Sequence, residues 1–261
     1  MDIKLTNINI EERMRDHDVT GLSVAVIDDG KISSTECFGL LESGTNKKVN
    51  DNTIFNACSI SKFLTSILVM KLTEQGLLDL DEDVNKKLLS WKVSDSILLA
   101  NKKVTLRNLL SHQSGIIDPE GSFNQFNSIY GIPSMVELLE GDTPFCKFPI
   151  EVKYEPESDF HYSDGGFCII QQLIEDSTRT PFNEVMKELV FQPLKMKNSR
   201  LEATIPQENI ENYSCGHNKN GEVVDGKYPI YPYPAAAGLW TTATDLAILV
   251  IELMNSKVKG N

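Results

Sequence analysis

Long apolar runs are missing from the chain. The most apolar stretches, residues 67–70 and 246–253, fall well short of the roughly 18 consecutive apolar residues that a membrane-crossing helix requires. The opening residues, Met1-Asp2-Ile3-Lys4, lack the basic-then-apolar pattern of a secretory leader, so a cytoplasmic location is expected. Cysteine is sparse and scattered. Cys37, Cys58, Cys146, Cys168 and Cys215 are odd in number and no two stand at C-x-x-C spacing, which argues against a zinc site and a disulfide framework. The four histidines are not at ligand spacing either, and the acids Asp79, Asp81, Glu82 and Asp83 lack the glycine and spacing of a calcium loop. Positive charge is also short: 25 Lys and Arg stand against 37 Asp and Glu, a net charge of -12. Such a surface is repelled by nucleic acid and by anionic membranes, so neither is expected as a partner.

What remains is an ordinary globular composition, 41% apolar and 24% charged, over 261 residues, enough for one large domain or two lobes that share a core. Residues 8–16 have an amphipathic helical pattern. Residues 21–27 are β-rich, Asp28-Asp29-Gly30 is a strong turn, and residues 31–39 return, so an antiparallel hairpin is expected. After Ser59, apolar residues at Phe63, Leu64, Ile67, Leu68 and Leu72 recur at helical spacing, with Gly76 placed to end the helix. Thr105 and Ser134 are natural caps for helices over residues 106–111 and 135–140. Further helices are expected over 165–176, 182–190 and 245–253, the last capped by Thr244 or Asp245 and preceded by a loop over 234–238. Residues 213–230 read as turns and strands. This order predicts a mixed α/β lobe made from residues 1–57 and roughly 205–261, with a mostly helical lobe, 58–204, inserted between its parts.

One local pattern carries chemistry. In Phe55-Asn56-Ala57-Cys58-Ser59-Ile60-Ser61-Lys62, Ser59 and Lys62 are three residues apart, on one face of a helix. A serine hydroxyl needs a base beside it to act as a nucleophile. The helix N-terminus favours a developing alkoxide and is expected to depress the lysine pKa, letting neutral Lys62 accept the proton. The pattern alone is weak, since Ser256 and Lys259 repeat it in no particular context.

Five further segments change its weight. Residues 104–115 contain Leu109-Leu110-Ser111-His112-Gln113-Ser114-Gly115; residues 162–167 read Tyr-Ser-Asp-Gly-Gly-Phe; residues 191–199 contain Pro193-Leu194-Lys195-Met196; residues 234–246 run from Pro-Ala-Ala-Ala-Gly-Leu to Thr-Asp-Leu; and residues 21–31 form the opening hairpin. In their order along the chain, and with S-x-x-K, these segments resemble the serine β-lactamase and penicillin-binding-protein family, nearest its class C β-lactamase and esterase branch. The resemblance implies the β-lactamase/transpeptidase-like α/β (α+β) fold, with a helical lobe inserted into an antiparallel-sheet lobe. It implies a serine hydrolase acting through an acyl-enzyme on an ester, amide or β-lactam bond of a small-molecule or peptide substrate, with no cofactor. Ser59 would be the nucleophile, Lys62 its proton acceptor and Tyr162 a second proton-transfer group. Asp164, and more weakly His161, would face the substrate; His112 reads as a structural histidine.

Two departures stand out. Asp164 occupies a position where the family often has Asn. A carboxylate accepts hydrogen bonds but cannot donate to a substrate carbonyl, and it can instead pair with Lys62 and keep it charged. The family's late K-T-G or H-x-G strand, which supplies a second oxyanion donor, would follow the final helix, where this sequence stops; Lys219-Asn220-Gly221 reads as a hairpin turn. The C-terminal strands are therefore expected to be missing and the hairpin to keep an open edge, a route to pairing with a second copy. The alternative expectation is a catalytically silent or truncated homologue that acts as a binding protein.

Overall fold

The computed structural model describes residues 8–201 and 207–259; the opening residues 1–4 and the lobe boundary near residue 205 lie outside it. Helix α1 (Ile10–Asp16) is capped by Asn9, whose side chain accepts from the Glu12 N–H at 3.1 Å. Strands β1 (Gly21–Asp28) and β2 (Lys31–Gly39) form the expected antiparallel hairpin. Asp29 and Gly30 both have positive φ, 48° and 68°, the left-handed pair that matches the twist of a two-residue hairpin. The final helix packs on both strands.

A second sheet is not apparent from the sequence pattern. Strand β3 (Phe55–Cys58) pairs with β5 (Leu239–Thr241), which pairs in turn with β4 (Arg200–Leu201), all antiparallel. Between β3 and β4 lies the helical body. It comprises α2 (Ile60–Glu74), α3 (Leu106–Leu110), α4 (Met135–Glu140), α5 (Asp164–Thr178), α6 (Phe182–Met186) and α7 (Gln192–Leu194). Thr105 and Ser134 begin α3 and α4 with complete capping boxes, closed by Asn108 and Glu137.

The core is centred on α5, where every residue from Gly165 to Ile174 is buried. Most of this run is apolar or small, and the two buried glutamines are satisfied: Gln171 accepts from the Ala235 N–H and donates to Glu175, and Gln172 donates to Asp176. Leu64, Leu68 and Leu72 of α2 join the same apolar cluster. Residues 234–238, expected as a loop, instead contain a single helical turn, α8 (Pro234–Ala237), with Pro234 in the first turn where its missing N–H costs nothing. Its Ala235, Ala236 and Ala237 are small enough for the turn to pack on both α2 and α5.

Other boundaries differ for identifiable reasons. The helix expected over 182–190 is α6, followed by a π-helical turn, Lys187–Phe191, that leads into α7. Helix α9 (Ala243–Lys259) starts earlier and runs further than expected. Thr242 caps it, accepting from the Asp245 N–H at 3.1 Å, because the Asp245 carboxylate is turned away to Asn198 N and Ser199 Oγ, each at 2.8 Å. Residues 213–230 hold only isolated bridges, among them His217–Val223 around the Asn220-Gly221 turn. Among the described residues no helix is long and apolar enough to cross a membrane.

Candidate active site

Strand β3 delivers the chain to Ser59 through a tight, strained turn. Asn56 Oδ1 accepts from the Cys58 N–H at 2.8 Å, and Cys58 takes φ +44°, a left-handed conformation unusual outside glycine. Ser61 Oγ donates to Cys58 O at 2.6 Å and accepts from the Leu239 N–H at 2.9 Å, which ties the turn to β5. Ser59 then leads into α2 with its side chain making no capping bond, so its Oγ is free for other partners. It is exposed.

Lys62 lies one helical turn on and is buried, 6% exposed. Its ammonium has three protons to place and finds three partners: Ser59 Oγ at 3.2 Å, Ala236 O at 2.9 Å and Asp164 Oδ1 at 2.5 Å. The Asp164 contact is one of charge more than of hydrogen-bond angle, since Oδ1 is buried and accepts no well-directed bond. Tyr162 reaches Ser59 from the other side, OH to Oγ 2.9 Å, and Lys62 Nζ stands 4.8 Å from the Tyr162 ring centroid.

The electrostatics correct one expectation. Burial does pull the Lys62 pKa down, but the Asp164 carboxylate, with a further contribution from Tyr162, outweighs it and leaves the pKa above the ordinary lysine value. Lys62 therefore holds its proton at neutral pH. The pull of the helix N-terminus does not win because a full negative charge lies in direct contact.

Tyr162, Ser163 and Asp164 are held by the loop that follows α3. His161 N donates to His112 O at 2.8 Å, and Ser163 N donates to His112 Nδ1 at 3.2 Å. Asp118 gathers three donors: Ser163 Oγ at 2.6 Å, Asp164 N at 2.8 Å and Gly165 N at 2.9 Å. It is a carboxylate seated at the N-terminus of α5, where the helix dipole favours it. Burial still raises its pKa, while these three bonds pull it back. The His112 ring lies 4.5 Å from the Tyr162 ring, and burial followed by the charge on Lys62 lowers its pKa.

The structure thus brings Ser59, Lys62, Tyr162 and Asp164 together. His161 does not join them: its ring stacks on Tyr154 at 4.3 Å and its Nε2 is buried without a hydrogen-bond partner. The sequence reading missed Asp118 and the Ala236 carbonyl. Asp118 stands three residues beyond the His-Gln-Ser-Gly segment with nothing in its spacing to mark it, and a backbone oxygen carries no side-chain signal. Among the described residues no cluster of His, Cys, Asp and Glu could hold a metal ion.

Comparison with known proteins places this geometry. A family model described as "Beta-lactamase" matches residues 7–260. "Protein flp" of Staphylococcus aureus (strain MW2) is 23% identical over 236 residues, covering 89% of this chain and 43% of the relative. "Penicillin-binding protein 4" of Amycolatopsis lactamdurans is 28% identical over 198 residues, covering 74% and 47%. The octameric penicillin-binding protein homologue from Pyrococcus abyssi superposes with a TM-score of 0.76 at 26% identity, over 96% of this chain and 56% of that one. The chain spans about half the length of the curated relatives it matches.

Proposed function

The chain belongs to the β-lactamase family, and from that premise we propose that it is a serine hydrolase, cleaving an ester, amide or β-lactam bond through an acyl-enzyme at Ser59. The observation that carries this reading is the double contact on one hydroxyl: Ser59 Oγ lies 3.2 Å from Lys62 Nζ and 2.9 Å from Tyr162 OH. An exposed serine with two proton-transfer groups on its oxygen is arranged for nucleophilic attack.

In acylation, Ser59 Oγ bonds to the substrate carbonyl carbon and its proton passes to the Tyr162–Lys62 pair. The pair accepts it in the fraction of molecules where it has already lost one proton, which grows as pH rises. The Ser59 N–H, at the head of α2, donates to the carbonyl oxygen as it becomes negative. The tetrahedral centre collapses, the bond to the leaving group breaks, and the pair returns a proton to that group. Water repeats the sequence on the acyl-enzyme, releasing the acid and free Ser59. Whenever Lys62 carries its proton, the ammonium stabilises negative charge developing on Ser59 Oγ. Association into an oligomer is part of the same proposal: the Pyrococcus homologue is octameric, and the β1–β2 sheet is two-stranded among the described residues.

Hydrolysis of phenyl butyrate by the purified chain tests the reading. Ser59→Ala is expected to fall to background, and Tyr162→Phe to lose about a hundredfold or more. A Ser59→Ala protein as active as its parent would end the proposal.

A further inference from the structure

The carboxylate beside the nucleophile bears on which substrates the site accepts. Asp164 opens α5 and stands one lysine away from Ser59. Its Oδ1 is buried against Lys62, yet the side chain as a whole is 23% exposed, so part of it remains accessible beside the nucleophile. A second acid, Asp118, lies directly behind it and binds its backbone N–H. Against these two negative charges the site sets one cation, Lys62, already neutralised by Asp164. The other candidate cation is His112, against the Tyr162 ring, and its surroundings favour the neutral form. Among the described residues no arginine and no second lysine hydrogen-bonds to or forms an ion pair with Ser59, Tyr162 or Asp164. The chain as a whole adds to the field with its net charge of -12.

Among the described residues, a substrate carboxylate approaching Ser59 meets the Asp164 carboxylate, with Asp118 behind it, and no uncompensated cation. An ammonium group meets an acceptor-only side chain with unused lone pairs. We propose that the site selects acyl donors by charge, taking amine-bearing and neutral acyl groups and rejecting those that carry a carboxylate, with Asp164 as the residue that sets the preference. This rests on the hydrolase reading above. It points to aminoacyl esters and amides as the natural substrate class, and away from substrates recognised through a carboxylate.

Three phenyl esters of nearly equal shape separate the outcomes: those of β-alanine (cationic), butyric acid (neutral) and succinic acid (anionic). Each is hydrolysed by the parent and by Asp164→Asn, with Ser59→Ala as background. A neutral fluorophosphonate reports separately whether Ser59 is a competent nucleophile. In the parent, kcat/KM for the β-alanyl ester is expected to exceed that for the succinyl ester by about tenfold or more at low salt, and the gap should narrow as salt screens it. In Asp164→Asn the ratio should fall to within about threefold of unity. A parent that prefers the succinyl ester, or a ratio indifferent to salt, overturns the inference while leaving the hydrolase reading in place. A ratio unchanged in Asp164→Asn removes Asp164 from it. The salt series on the parent decides the matter even if the variant fails to fold. Absence of both fluorophosphonate labelling and turnover of every ester would instead refute the hydrolase reading, and the inference would fall with it.

Discussion

Removing Asp118 should weaken the protein and slow its chemistry together. Its carboxylate takes the Ser163 hydroxyl at 2.6 Å and the Asp164 and Gly165 N–H groups at 2.8 and 2.9 Å. Hydrogen bonds to a charged partner contribute about 1.5–3 kcal/mol each in mutational series, but they are not additive. Burial of the carboxylate, visible in its raised pKa, offsets part of the gain. Asp118→Ala is therefore expected to cost about 2–4 kcal/mol, a fall of about 5–15 °C in Tm. Asp118→Asn keeps the shape but turns an N–H donor toward one of the three donors, so it should recover no more than about half of that loss. The pH dependence has a definite sign. A carboxyl whose folded pKa is raised binds its proton more tightly in the native state, so its contribution to stability falls as pH rises from the ordinary carboxylate range through the raised value. The gap between parent and Asp118→Asn should narrow over that window. The same loss loosens the first turn of α5 and the neighbouring Tyr162, and a misplacement of about 1 Å costs up to about a hundredfold in rate. Thermal unfolding and fluorophosphonate labelling, run on the same samples, measure both effects. An Asp118→Ala protein that melts with its parent and labels at the parent rate would refute the reasoning.

Four further outcomes are expected. Because Asp164 raises the Lys62 pKa, Ser59 labelling should accelerate from neutral into alkaline pH. Asp164→Asn should move that rise to lower pH, since the adjacent charge that holds the lysine proton against the effect of burial is gone; a pH series of labelling rates would show it. Linkage gives the matching stability effect: the ion pair stabilises the fold at neutral pH and below, and that contribution disappears as pH climbs through the raised Lys62 value, which alkaline denaturant titration would detect. Cys58, at φ +44°, should tolerate glycine and resist a β-branched residue, with Cys58→Val about 2 kcal/mol less stable than Cys58→Gly by denaturant midpoint. Asp245→Ala leaves Asn198 N without its acceptor, while Ser199 Oγ keeps Thr241 Oγ1 at 2.7 Å, and should cost about 1–3 kcal/mol, read as a lower Tm.

How legible each feature was in the sequence follows from how local its cause is. The pairing of Ser59 with Lys62 lies within one helical turn, so spacing alone exposes it. The β1–β2 hairpin is equally local, with Asp29-Gly30 at its turn. Tyr162 is 103 residues from Ser59 and became visible only through the family resemblance. Asp118 was not visible at all, since an acid in a loop looks the same whether it faces water or three buried donors. Strands β3, β4 and β5 are four, two and three residues long, too short to show alternation, and their pairing partners lie far along the chain. At α9, Thr242, Thr244 and Asp245 are all competent caps; the distant Asn198 and Ser199 decide the matter by claiming Asp245. For Lys62 the sequence offers two opposed influences, the local helix terminus and a pairing with Asp164 from far along the chain. The structure decides between them by setting the Asp164 carboxylate 2.5 Å from the ammonium.

The most direct test of the central claim is the intact mass of the purified chain after exposure to a neutral fluorophosphonate, followed by peptide mapping. The account predicts one adduct per chain, located on Ser59, formed faster at pH 9 than at pH 7 and absent from Ser59→Ala. A folded chain that takes up no adduct, or carries it on another residue, would contradict it.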